Sequence, residues 1–175
     1  MDFKKWLYHE RSLYHGTIID NLDSIRSIGL QPDIGDFVKN AYAGEYDAAG
    51  ADIEDEEPAI FLTDKPELEK ALTAMKHHIA QKLKKGWHDV TERDVVNHGL
   101  LIKCKDEDNS IPQYDPYRHQ PATPGGEEGD YISTDALSGD QFIRGNGIIR
   151  ALRAAGVDIE SPKQLMRKKT QKRFF

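Results

Sequence analysis

The 175-residue sequence predicts an α+β fold, and three features carry that expectation. Four short apolar stretches of strand type, "RSLYHG", "PAIFLT", "VVNHGLLIKCK" and "DYISTDAL", are distributed along the chain. Helical patterns lie between and after them, the strongest being "DKPELEKALTAMKHHIAQKLKKG". The length is that of one ordinary domain, enough to bury roughly two thirds of the unfolded surface in a single core. No internal repeat or boundary divides it, so residues 1–175 read as one domain with a basic tail over 161–175.

In chain order, "RSLYHG" is the first strand, and Thr17 is the N-cap expected for a helix in which Ile18, Leu22, Ile25 and Ile28 recur at helical spacing. Gly29 supplies its stop. Residues 31–57 have weak periodicity and many turn formers, the pattern of a long loop serving as a lid or recognition element. "PAIFLT" follows as the second strand. In the next segment Asp64 caps, Pro66 fits the first turn, and Leu68, Leu72, Met75, Ile79 and Leu83 form one apolar stripe. Early glutamates, late lysines and Gly86 match the helix dipole and a C-terminal stop. The third strand is expected in "VVNHGLLIKCK". After it "NSIPQYDPYRHQPATPGGEEG" is a second long loop, rich in turn formers. A strand in "DYISTDAL" and a strand or turn with a short helix in "DQFIRGNGIIRALRAAG" complete the pattern.

Composition narrows the function. With 31% charged and 38% hydrophobic residues, two Trp, seven Tyr and six Phe, the chain is globular in character. No apolar run approaches the roughly 18 residues that span a bilayer, and the N-terminus lacks a signal-type apolar core, so no membrane partner and a cytoplasmic location are expected. Cys104 is the single cysteine, which excludes an intrachain disulfide and the cysteine zinc frameworks, and reads as a buried strand residue. The net charge of −6 argues against simple coating of nucleic acid, although the tail carries Lys163, Arg167, Lys168, Lys169, Lys172 and Arg173. His77 and His78 are helix neighbours that cannot chelate one metal from one face, and His88, His98 and His119 lack ligand spacing. No metal cofactor is expected.

The remaining constellation is "YHGT" before a helix, "AIFLTD" before a helix, and a late "EEGDYIST". In that order the blocks resemble the ADP-ribosyltransferase superfamily of the H-Y-E type, the specific part being "LYHGT" followed by "NLDSIRSIGLQP". The resemblance implies an α+β core of two small, split sheets with flanking helices and NAD as co-substrate in the cleft between them. It assigns His15 to the adenosine ribose and Gly16, through its backbone, to the nicotinamide carboxamide, with Thr17 in the same turn. Asp130 takes the place of the catalytic acid and Glu128, two residues earlier, sits near the acceptor as in E-x-E transferases.

The residue types suit that chemistry. A histidine at a strand end hydrogen-bonds a ribose hydroxyl, a neighbouring glycine admits close approach to the backbone, and a carboxylate stabilises an oxocarbenium-like ribosyl centre. Thr63 ends the second strand as the polar middle residue. The helix that follows it has no aromatic to stack on nicotinamide, so Tyr42 and Tyr46, with Tyr114 and Tyr117, are the stacking candidates. The expected activity is NAD-dependent mono-ADP-ribosyl transfer to a macromolecular acceptor, protein or nucleic acid. The alternatives are an RNA 2'-phosphotransferase-like enzyme using Arg118 and Arg144, and a non-catalytic binding module of the same fold.

Overall fold

A computed structural model describes residues 11–32, 59–113, 131–157 and 159. Within them helix and strand are mixed, as expected. Strand β1 (Arg11–Ile18) pairs antiparallel with β3 (Gly99–Asp106) through eight positions, from Arg11↔Asp106 to Ile18↔Gly99. On its other edge β3 pairs with β5 (Gln141–Arg144), giving a three-stranded sheet in the order β1-β3-β5. Strands β2 (Ile60–Leu62) and β4 (Tyr131–Ser133) form a separate antiparallel pair.

The central position of β3 explains its unbroken run of apolar residues. Leu101 enters one core with Met75, Ile79, Ile148 and Leu152, whereas Leu100, Ile102 and Cys104 enter another with Leu13, Leu22, Ile60 and Leu62. Successive side chains point to opposite faces of a strand, so the stretch Leu100–Ile102, covered on both faces, is apolar at every position. The first core lies under α2 (Leu68–Leu83), whose stripe of Leu68, Leu72, Met75 and Ile79 is fully buried, together with α3 (Glu92–His98) and α4 (Asn146–Ala154). The second lies under the β2–β4 pair and α1 (Leu22–Ile28).

Four local expectations are corrected. Thr17 is not an N-cap: the strand runs on through Ile18, a 3₁₀ turn covers Ile19–Asn21, and α1 starts at Leu22. Asp64 does not cap α2 directly. It accepts from the Glu67 N–H at 3.2 Å, closing a turn that contains Pro66, so the helix starts at Leu68. That helix ends on Lys84 in the left-handed region (φ 53°), before Gly86. Finally, "VVNH" is helical. Thr91 accepts from the Asp94 N–H while Asp94 accepts from the Thr91 N–H, a reciprocal capping box that starts α3 and delays β3 to Gly99.

The stop at Gly29 is as expected, with φ at 79°. A Cβ there would lie 2.8 Å from the Leu137 carbonyl oxygen. The next residue, Leu30, exchanges two backbone hydrogen bonds with Leu137, at 2.7 and 3.0 Å. The pair "GL" thus ends the helix and fastens the chain to the segment after β4. No helix among the described residues is long and apolar enough to cross a membrane.

Candidate functional site

Among the described residues one bridge joins the two sheets: Tyr14 donates to Thr63 at 2.7 Å and accepts from it at 2.9 Å. In a strand, alternate residues turn their N–H and C=O to the same edge. Gly16 therefore turns its backbone toward β2 as Tyr14 does, yet no backbone bond joins Gly16 to β2. By the same alternation Phe61 turns its carbonyl toward β1. That carbonyl is taken by a side chain, His15 Nδ1, at 3.0 Å. The strands part at this point, and His15 spans the opening.

A carbonyl only accepts, so His15 Nδ1 carries the hydrogen. Burial pushes the pKa of this imidazole below its ordinary value; the bond to Phe61 opposes that shift and nearby His78 adds to it. His15 is thus neutral at pH 7, with the Nε2 lone pair left as a hydrogen-bond acceptor. Thr63 is buried, and its hydroxyl oxygen finds no hydrogen-bond partner among the described residues. Leaving such a group unsatisfied costs roughly 1–3 kcal/mol. A water or a polar ligand atom at the split would satisfy it.

Gly16 has a second reason to be glycine that the sequence did not disclose. A Cβ on it would fall 2.0 Å from the Ala71 carbonyl oxygen and 3.3 Å from the Met75 Cβ. Its α-carbon faces α2, which crosses β1 at backbone contact, while its peptide edge faces the split. Thr17 is buried, and its hydroxyl accepts from the Asn21 side-chain amide at 3.0 Å. Asn21, four residues on, is the "N" of the "YHGT, N" run and holds the 3₁₀ turn to the strand.

The third sequence block reaches the same place. Leu62, which precedes Thr63, pairs with Tyr131, the first residue of β4. The ring of Tyr131 lies 4.1 Å from Arg11 Cζ. Arg11 is on the alternate-residue face of β1 that also carries Leu13 and His15. Its guanidinium donates to Asp106 and, at 2.7 Å, to the Ile111 carbonyl. Asp106 also accepts from Ser110 N at 2.9 Å and Ile111 N at 3.3 Å. Neither Arg11 nor Asp106 was singled out in the sequence, although Asp106 opening "DEDNS" is an Asx-turn signal. The structure thus brings together His15, Gly16, Thr17, Thr63 and the start of β4. Tyr42, Tyr46, Tyr114, Tyr117, Arg118, Glu128 and Asp130 lie outside the described residues.

Other singled-out residues fall elsewhere. Arg144 is exposed at the end of β5, two strands and about 10 Å from β1. His77 is stacked on Trp87 at 4.8 Å between ring centroids, with His88 on Trp87 at 3.5 Å. Burial lowers the His77 pKa, and His78 and His88 lower it further. Cys104 is buried in β3, where burial, with Asp140 nearby, raises its thiol to about 11. Among the described residues no group of three or more His, Cys, Asp or Glu side chains is arranged to hold a metal ion. No family model, curated protein or solved structure matches the chain.

Proposed function

We propose that the split between β1 and β2 is the NAD cleft of a mono-ADP-ribosyltransferase, built on an ADP-ribosyltransferase-like split sheet. The observation that carries this reading is the convergence of the three motif blocks. "YHGT", "AIFLTD" and "DYIST" meet through Tyr14–Thr63, His15–Phe61 and Leu62–Tyr131. His15 Nε2 accepts from a hydroxyl of the adenosine ribose. The outward backbone edge of Gly16 holds the nicotinamide carboxamide, and the unpartnered Thr63 hydroxyl takes up a polar group of the dinucleotide. Thr17 fixes the turn through Asn21, and Tyr42 and Tyr46 are the candidates for stacking on nicotinamide.

In the reaction the C1'–N1 bond of the nicotinamide riboside breaks and nicotinamide leaves with the bonding pair, which neutralises its pyridinium. The ribosyl centre passes through an oxocarbenium-like state stabilised by the Asp130 carboxylate. An acceptor nucleophile then forms the new bond at C1', and Glu128 takes its proton. The acceptor is a protein or a nucleic acid, and no metal takes part. The 2'-phosphotransferase alternative relies on arginines lining the cleft, and Arg144 stands two strands away from it.

Incubation of the purified chain with adenylate-labelled NAD and separate pools of protein, DNA and RNA tests the proposal. Label is expected in one pool, with release of nicotinamide, and is expected to be lost in His15→Ala and Asp130→Asn. NAD binding without nicotinamide release would favour the non-catalytic module, and absence of NAD binding would refute the assignment.

A further inference from the structure

The ion pair between half-buried Arg11 and buried Asp106 has more partners than strand pairing requires. β1 and β3 are already in register through eight positions, with Leu13, Ile102 and Cys104 buried beside the pair. Such a pair is a poor stabiliser in itself, because desolvation of the Asp106 carboxylate offsets the attraction, and well-packed apolar residues often serve as well. Its contribution lies in what else the two groups reach. Asp106 accepts from Ser110 and Ile111 and turns the chain back after β3. Arg11 ties down the Ile111 carbonyl and lays its guanidinium against the Tyr131 ring.

β4 is three residues long and has three pairing positions with β2, plus a bridge from Gln113 to Tyr131. A strand this short, at the edge of a two-stranded pair, belongs to the least stable part of a fold. The guanidinium–ring contact fastens its first residue directly to β1. Arg11 and His15 share one face of that strand, four residues and about 13 Å apart. The residue that precedes Tyr131 in the chain is Asp130, with Glu128 two further back.

We infer that Arg11 and Asp106 form a positioning clamp that fixes the entry of β4, the strand that directly follows Asp130 in the sequence, against the His15 face of β1. The inference rests on the transferase reading for its role in turnover, while the clamp itself is tested separately. Arg11 and Asp106 touch neither substrate nor reacting atoms; they act through Tyr131.

The test uses the full chain, as wild type, Arg11→Gln, Arg11→Lys and Tyr131→Leu, the last keeping the ion pair and removing only the ring. Amide hydrogen exchange is followed by NMR at Tyr131 and Ser133 and along β1 and β3, beside the NAD Kd by calorimetry and kcat for nicotinamide release. In Tyr131→Leu, exchange at Tyr131 and Ser133 is expected to quicken about threefold, the size of a partly exposed cation–ring contact, with β1 and β3 unchanged, whereas Arg11→Gln also quickens exchange where β1 meets β3 because Asp106 is left buried without its cation. In the same variants kcat falls by a similar factor at unchanged Kd, and Arg11→Lys recovers part of both effects. In Tyr131→Leu, exchange that rises equally in β3 and β4, or Kd and kcat that move together, would overturn the clamp and leave an ordinary structural pair. A wild type that releases no nicotinamide would remove the transferase reading, and the exchange pattern would still decide the clamp.

Discussion

Replacing Gly16 by alanine adds one methyl group at the point where β1 meets α2. The added Cβ would stand 2.0 Å from the Ala71 carbonyl oxygen and 2.9 Å from its carbonyl carbon, whereas real Cβ contacts essentially never fall under 3.0 Å. Both nearest atoms are backbone, so no side-chain rotation relieves the clash. Strand and helix must separate by about 1 Å or more along a buried seam lined by Met75 and Ile79, which loosens packing on either side. Overpacking of a core ordinarily costs 1–3 kcal/mol, and a clash with immovable backbone belongs at the upper end, about 3 kcal/mol. At roughly 2–4 °C per kcal/mol for a chain of this size, the midpoint of thermal unfolding is expected to fall by about 6–12 °C. Calorimetry or far-ultraviolet circular dichroism measures it. A Gly16→Ala protein that melts with the wild type would refute the close crossing of α2 over β1.

Thr63→Val removes a buried hydroxyl that has no partner among the described residues. It is expected to leave stability unchanged or raise it by about 1 kcal/mol in thermal unfolding, while weakening NAD binding severalfold by calorimetry. His15 has a lowered pKa, so between that value and the ordinary 6.5 the unfolded chain binds the extra proton. Stability from this group is complete above pH 6.5 and is lost as pH falls through that window. The slope should flatten in His15→Asn, read by urea unfolding across pH 5–8. Cys104, with its thiol raised to about 11, should react with iodoacetamide at pH 8 only as fast as the domain unfolds. Thr91→Ala breaks the capping box and should cost about 1 kcal/mol in urea unfolding.

The strand that carries "YHGT" and the helix that ends at Gly29 were legible because their signals are local, alternation, helical spacing and a terminal glycine, whereas the turn was placed too early, since His15, Gly16 and Thr17 lie within β1. The stripe in α2 was legible for the same reason, as was the buried place of Cys104. Helix α3 was missed although its signal was present. Thr91 and Asp94 have the spacing of a capping box, but the apolar run "VVNHGLLIKC" outweighed it and drew the helix into the strand. Thr17 illustrates the opposite error, a residue of cap type whose hydroxyl serves Asn21 while the strand continues past it.

The site was legible as residue types and not as contacts. Gly16 was read for ligand approach, whereas the crossing of α2 that also demands glycine depends on Ala71, fifty-five residues later. The His15–Phe61 bond and the Arg11–Asp106–Tyr131 cluster join segments 46 to 95 residues or more apart, and no local pattern announces such pairings. Asn21 was quoted within a motif before its bond to Thr17 gave it a reason to be there.

The most direct measurement of whether the split is an NAD cleft is a titration of ¹⁵N-histidine-labelled protein with NAD at pH 7. Before addition, His15 should show a protonated Nδ1 and an unprotonated Nε2. NAD is expected to shift His15 Nε2 in the direction of an accepted hydrogen bond while the resonance of His88, in the 3₁₀ turn Trp87–Asp89 after α2, stays in place. A His15 Nε2 resonance that does not move at saturating NAD would contradict the assignment.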